Sequence, residues 1–296
     1  MKPKRLIKSL LLLITFLSGM QITADSYVLE APHIIDLMVR NMGNAKSIDI
    51  TQTLLLYPDN HTQSATELTE TVKYDFPLAF RSDITSAKIQ RIHLASHGDV
   101  CTMLDGKIVA SDSQRPNNGF DIYKDILLLR SRTLLKQHLD SLGVDTAISS
   151  LGRFQNRIFY VIGAQYPDAE PMQLWVDRET LRPVRWIIQG KQKARSESTY
   201  EIRYLEWRRF GQNAESSYWH PMRISFLSND RLTREIIVNN LKINPVFAKT
   251  VFDIAHLKSL YPFNDSGNNS GQMNLDKTPE IDEIQKTIHD FQRLYQ

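Results

Sequence analysis

Between residues 148 and 254 apolar and polar positions alternate with a period of two, which gives each segment one apolar face and predicts half-buried antiparallel strands. Val184, Trp186 and Ile188 share a face, with Arg185 and Ile187 opposite; Met222, Ile224 and Phe226 repeat the pattern, with Arg223 and Ser225 turned away. The polar segment 177–180 supplies the turn of a tight hairpin between 174–176 and 182–188. In the N-terminal half, strand-like runs fall at 48–57, 68–80 and 89–97, and Asp105-Gly106 joins 100–104 to 107–109 as a hairpin. Two segments switch to helical spacing. Pro32 opens a short helix carrying Ile34, Ile35, Leu37, Met38 and Met42, with Gly43 as its stop. Residues 122–142 read as one helix ending at Gly143, whose broad apolar face (Ile126, Leu127, Leu129, Leu134, Leu135, Leu139 and Leu142) should lie over the sheet.

The ends of the chain add a different grammar. Lys2, Lys4, Arg5 and Lys8 precede an uncharged apolar run at 9–20, and small residues follow at 22–24, the layout of a cleavable secretory signal peptide. The run is shorter than the ~20 residues that span a bilayer, and no cysteine stands near the cleavage site to take a lipid. Removing four of the 36 basic residues while keeping all 33 acidic ones takes the formal charge from +3 to −1. A near-neutral mature chain does not favour nucleic acid as a partner. The single cysteine, Cys101, sits in an apolar strand-like run and is expected to be a buried thiol. The organisation expected is a signal peptide at 1–24, one β-rich domain at 25–263, a polar, glycine-bearing linker at 264–278, and an amphipathic helix at 279–296 with Ile281, Ile284, Ile288 and Phe291 at helical spacing.

Candidate chemistry is thin. His93, His97 and Cys101 are the nearest thing to a metal set, but residues four apart on a strand stand ~13 Å from each other. There is no GxSxG elbow and no glycine-rich phosphate loop. Glu67, Glu70 and Asp75 alternate with Val72 and Tyr74 and are assigned to a solvated strand face. No enzyme, cofactor or metal site is expected.

Five local patterns in one order carry a resemblance: the helix at 34–42 followed by KSIDITQTLLLY (46–57), FPLAFR (76–81), LDGK (104–107), LWVDRETLRPVR (174–185) and NNLKINPVFAKTVFDI (239–254). Together they resemble the LolA-like family of periplasmic outer-membrane lipoprotein carriers and their relatives. The resemblance implies an α+β fold, a curved antiparallel half-barrel whose concave face is covered by helices, with acyl chains bound between. It also points to Arg81, in a region where carriers use a basic residue, although an exposed strand arginine is the simpler reading. Trp175 is expected in the core or at its rim, and Asp177, Pro183, Asn240, Asn244 and Phe252 are expected to shape turns and ends.

The expected function is a periplasmic carrier that shields the acyl chains of a lipoprotein or lipid and hands it to the outer membrane. Its groove would be lined by Leu54, Leu56, Phe76, Ile92, Leu94, Val184, Trp186, Ile188, Met222, Ile224 and Phe226, with Met38 and Met42 as an adaptable lid. Burial of ~0.8 kcal/mol per methylene supplies the affinity, provided the interior is hollow enough to admit a chain. The expected partners are the acyl chains and inner- and outer-membrane transfer proteins, with a monomer as the working unit. The alternative is a lipoprotein-sensing regulatory module that binds a membrane signalling partner through the helix at 279–296.

Overall fold

The computed structural model describes residues 28–58, 64–86, 89–112, 119–168, 171–189, 199–211 and 217–261. The segments read as signal peptide, linker and C-terminal helix lie outside the described residues. Among the described residues, thirteen strands form one antiparallel sheet: β1 (Ser47–Leu56), β2 (Thr66–Asp75), β3 (Ala79–Thr85), β4 (Gln90–Ser96), β5 (Asp99–Leu104), β6 (Lys107–Asp112), β7 (Ser149–Phe154), β8 (Arg157–Ile162), β9 (Gln173–Asp177), β10 (Pro183–Gln189), β11 (Thr199–Phe210), β12 (Tyr218–Ser228) and β13 (Arg231–Ile243). The helices are α1 (Ala31–Asn41), α2 (Tyr123–Leu128), α3 (Arg132–Ser141) and α4 (Ile254–Leu260).

The order β6-β5-β4-β3-β2-β1-β13-β12-β11-β10-β9-β8-β7 has a simple origin. Hairpins carry the chain from β1 outward to one edge at β6, and hairpins carry it back from the other edge at β7 to β13, which pairs with β1. The single long connection joins the two edges, and it contains α2 and α3. A crossing segment of that kind has to lie on a face of the sheet. Its residues Ile122, Tyr123, Ile126, Leu127, Leu135 and Leu139 share one buried cluster with α1 and with one face of the strands.

Two sequence expectations change. The run 68–80 is two strands, because a turn at Phe76, Pro77 and Leu78 separates β2 from β3. The helix expected over 122–142 is also two, broken where Leu129 takes extended backbone (φ −77°, ψ 95°). The break frees Arg130 to reach across the fold, as described below, and a helical periodicity cannot report a tertiary contact of that kind.

Gly43 ends α1 as expected. Its φ of +100° is left-handed, and a Cβ there would collide with the carbonyl oxygen of Ser217. The close approach is set by backbone pairing: Asn44 N–H donates to Ser217 O at 2.8 Å and Trp219 N–H to Met42 O at 2.9 Å. Gly43→Ala should therefore lower stability by about 2 kcal/mol, through left-handed strain and loss of this pairing. Thermal unfolding of the variant beside the parent checks this; an unchanged midpoint would contradict it.

The face turned from α2 and α3 carries two smaller clusters. Ile92, Leu94, Cys101, Met103 and Ile108 lie beneath Leu257 of α4, so the chain after β13 folds back over β4 to β6. Phe159, Val161, Ala164 and Trp175 form the other, with Phe154 and Val184 against it. The Arg185 guanidinium lies over Phe154 (4.8 Å) and Trp175 (5.3 Å), and its Nη2 donates to Glu201 Oε2 at 2.6 Å. Cys101 is free and buried, and burial pushes its thiol pKa up.

Candidate functional site

The expected groove residues divide by strand register. Leu54, Leu56, Trp186, Ile188, Ile224, Phe226, Met38 and Met42 belong to the main core beneath the helices, with Phe76 and Met222 half-buried at its margin. Ile92 and Leu94 face the other side, under α4. Val184 also faces away, because a bulge between Pro183 and Arg185 shifts the parity of β10 and separates it from Trp186 and Ile188. A similar bulge in β13, at Asn239, keeps both Val238 and Leu241 on the core side.

The core residues among these are packed rather than hollow: Leu54 is 0% exposed, Trp186 1% and Phe226 1%. Open space lies elsewhere. A cleft of about 150 Å³ runs between the turn at Pro77 and Leu78, the β4–β5 hairpin, and the α2–α3 pair. Ile122, Leu128 and Leu142 line it and also belong to the core, so its apolar wall is continuous with the interior. Leu78, 41% exposed, stands at its margin. None of the groove residues expected from the sequence lines this cleft.

The cleft has a polar corner. Asp125 accepts from Lys124 Nζ at 2.8 Å, and His138 Nε2 lies 2.9 Å from its other carboxylate oxygen. Burial raises the Asp125 carboxyl pKa, but Lys124 and His138 outweigh it and hold the group well below the usual carboxylate range. Arg130, in the link between α2 and α3, is the strut of this cover. Its Nη1 donates to Gly43 O (2.9 Å) and Ala45 O (3.2 Å), and its guanidinium stacks on Phe76 at 3.4 Å and Tyr218 at 4.4 Å.

Deeper under the cover lies a buried charged cluster that the sequence reading missed. Arg91 Nη2 donates to Asp121 Oδ2 at 2.5 Å, and His93 Nε2 lies 3.7 Å from the same oxygen. His93 Nδ1 pairs with Thr102 Oγ1 at 2.8 Å. On neighbouring strands, Ser82 Oγ donates to Glu70 Oε1 at 2.5 Å and Gln52 Nε2 to Glu70 Oε2 at 2.8 Å. Arg234 enters from β13, its guanidinium 3.5 Å from the Phe226 ring centre and 4.2 Å from that of Phe120. Burial pushes the Asp121 carboxyl up, and attraction to Arg91 and His93 pulls it further down, to about 2. Burial and the nearby Asp121 push Glu70 up. Burial brings Arg234 down to about 10, which leaves it charged at neutral pH.

Glu70 corrects the assignment of Glu67, Glu70 and Asp75 to one solvated face: it is 1% exposed and shares its parity with Val72 and Tyr74. That parity was legible in the sequence. His93 and Cys101 were less so, because both faces of β4 are buried and alternation loses its meaning there. They point to opposite sides of the sheet and cannot share an ion. Arg81 lies on the outer face, its Nε donating to Asp83 at 2.9 Å and its Nη1 to Val251 O at 3.2 Å. Asp177 shapes its hairpin as expected, its Oδ1 accepting from the backbone N–H groups of Glu179 and Thr180.

No family model matches the chain, and no curated protein matches it in sequence. Among solved structures, a domain from Vibrio parahaemolyticus assigned to outer membrane lipoprotein sorting superposes with a TM-score of 0.52 at 12% identity, over 77% of this chain and 97% of that one. The chain has a LolA-like fold. Two further structures align more loosely. A LolA superfamily protein from Nitrosomonas europaea gives a TM-score of 0.49 at 12% identity, over 77% of this chain and 100% of that one. The MucA/MucB complex of Pseudomonas aeruginosa gives 0.26 at 13% identity, over 77% and 62%. The open 13-stranded sheet described above is in keeping with the half-barrel of this LolA-like fold.

Proposed function

We propose that this LolA-like half-barrel is a periplasmic binding protein that shields the acyl chains of a lipid or lipoprotein between its helices and its sheet, and passes them to a membrane acceptor without chemistry. The observation that supports this best is the cleft between α2–α3 and β4–β5, apolar along most of its wall, reaching the surface beside Leu78 and continuous with the core. At about 150 Å³ it falls below the ~300–1,000 Å³ of small-molecule pockets, so it takes the end of a chain and no more. Full loading requires α2–α3 to lift from the sheet. Burying twelve methylenes yields roughly 10 kcal/mol, which has to offset both the polar contacts that dock the cover and the apolar side chains of α2–α3 that lifting exposes, and the bound chain re-covers the latter.

Mass spectrometry of lipid extracted from the protein purified out of the periplasm should find acyl chains, and the lipid-free protein should take up a fluorescent fatty acid. A clean protein with no uptake would sink the proposal. On the sensing alternative, uptake would persist while a protein partner was retained only by the full-length chain.

A further inference from the structure

We propose that Arg91 and Arg234 form a recognition site for an anionic headgroup, phosphate or carboxylate, on an acyl-chain ligand, and that Asp121 of the helical cover occupies this site as an internal stand-in while the molecule is closed. This rests on the acyl-chain reading above and adds the class of headgroup. The two arginines come from strands with three others between them, β4 and β13. Yet both guanidiniums reach one ring, Phe120, at 4.8 and 4.2 Å. Two cations therefore flank one ring in the interior, where Arg91 is 1% exposed and Arg234 0%.

Stability is a poor reason for such an arrangement. Buried ion pairs are commonly replaced by apolar residues with no loss, and sometimes with a gain. Recognition is a better one, since the planar guanidinium fork matches carboxylate and phosphate oxygens. The carboxylate that meets Arg91 belongs to Asp121, on the cover immediately before α2, whereas Arg91, His93, Arg234 and Glu70 all belong to the sheet. When the cover lifts to admit a chain, Asp121 leaves with it. The sheet keeps two arginines and His93, with Glu70 held by Ser82 and Gln52. An anionic headgroup would then restore the pairing that Asp121 gave up, while its tail lies along the apolar positions around Phe226 and Trp186.

Binding of dodecyl phosphate, inorganic phosphate and neutral monolaurin to the full chain at pH 7.5 tests this. Asp121→Asn removes the competing charge and also loosens the cover, so it should tighten dodecyl phosphate by about tenfold more than it tightens monolaurin, the order expected for one charge-assisted contact. Arg234→Lys keeps the charge, loses the fork, and should weaken dodecyl phosphate several-fold with monolaurin unmoved; it carries the test if Asp121→Asn does not fold. Unchanged dodecyl phosphate affinity in the folded variants overturns the proposal, and retained monolaurin binding would leave the carrier reading standing. If neither amphiphile binds, the carrier reading fails and this proposal with it. Inorganic phosphate binding as tightly as dodecyl phosphate would overturn the link to an acyl chain.

Discussion

Acidification from pH 6.5 to 4.5 should destabilise the folded protein by roughly 5 kcal/mol, at about 1.4 kcal/mol per pH unit for each of two buried histidines. His93 and His220 are each 1% exposed, and burial holds both neutral, with pKa values lowered to about 3. In the unfolded chain each titrates near 6.5. Above that pH neither state binds the proton and nothing is lost. Between 6.5 and 3 the unfolded chain binds protons that the folded one refuses, so stability falls as pH falls. Asp121 adds a later loss as pH drops from its ordinary carboxylate range through about 2. Glu70 acts the other way: its raised pKa favours the folded state at low pH, and that contribution fades as pH rises through the folded value. Against a typical total of 5–15 kcal/mol, the histidine effect alone brings the chain close to unfolding near pH 4.5. Urea midpoints at pH 7.5, 6 and 4.5 measure it. A midpoint that stays level from pH 7.5 to 4.5 would show that the histidines are not held neutral in the folded protein.

Arg130→Ala should lower stability by about 3 kcal/mol and raise uptake of a fluorescent fatty acid at the same time. The loss follows from two charge-assisted hydrogen bonds to Gly43 O and Ala45 O and from stacking on Phe76 and Tyr218. The gain follows from position. Arg130 ties the link between α2 and α3 to the segment between α1 and β1, so removing it loosens the element that closes the cleft. An ordinary core residue would give the first effect without the second. Uptake that falls in step with stability would mean that the α2–α3 pair is a fixed part of the core.

Much of this is legible in the sequence. Alternation marked most strands, Asp105-Gly106 marked a hairpin, and Pro32 and Gly43 bracketed α1 within a residue or two. The misses share a physical origin. Val184 turned away because a bulge adds a residue to one strand and leaves its partner unchanged, and no periodicity records where that happens. Ile92 and Leu94 looked like groove residues because they are the most apolar side chains of β4. That strand is buried on both faces, so hydropathy does not say which face meets the helices. The break at Leu129 is set by where Arg130 finds its partners, far away in the chain.

The charged cluster was missed for another reason. Arg91, Asp121 and Arg234 stand far apart in the chain and alternate with apolar neighbours as exposed residues do. Nothing local separates a buried arginine from a solvated one.

The sequence by itself determined the class of fold and the order of most elements, because backbone periodicity and turn chemistry act over a few residues. It also determined that most of the interior would be apolar. Only the tertiary structure decided which face of each strand looks inward, where space remains, and that charges sit inside. Those outcomes depend on register, bulges and contacts between segments from tens to more than a hundred residues apart, which no local pattern encodes.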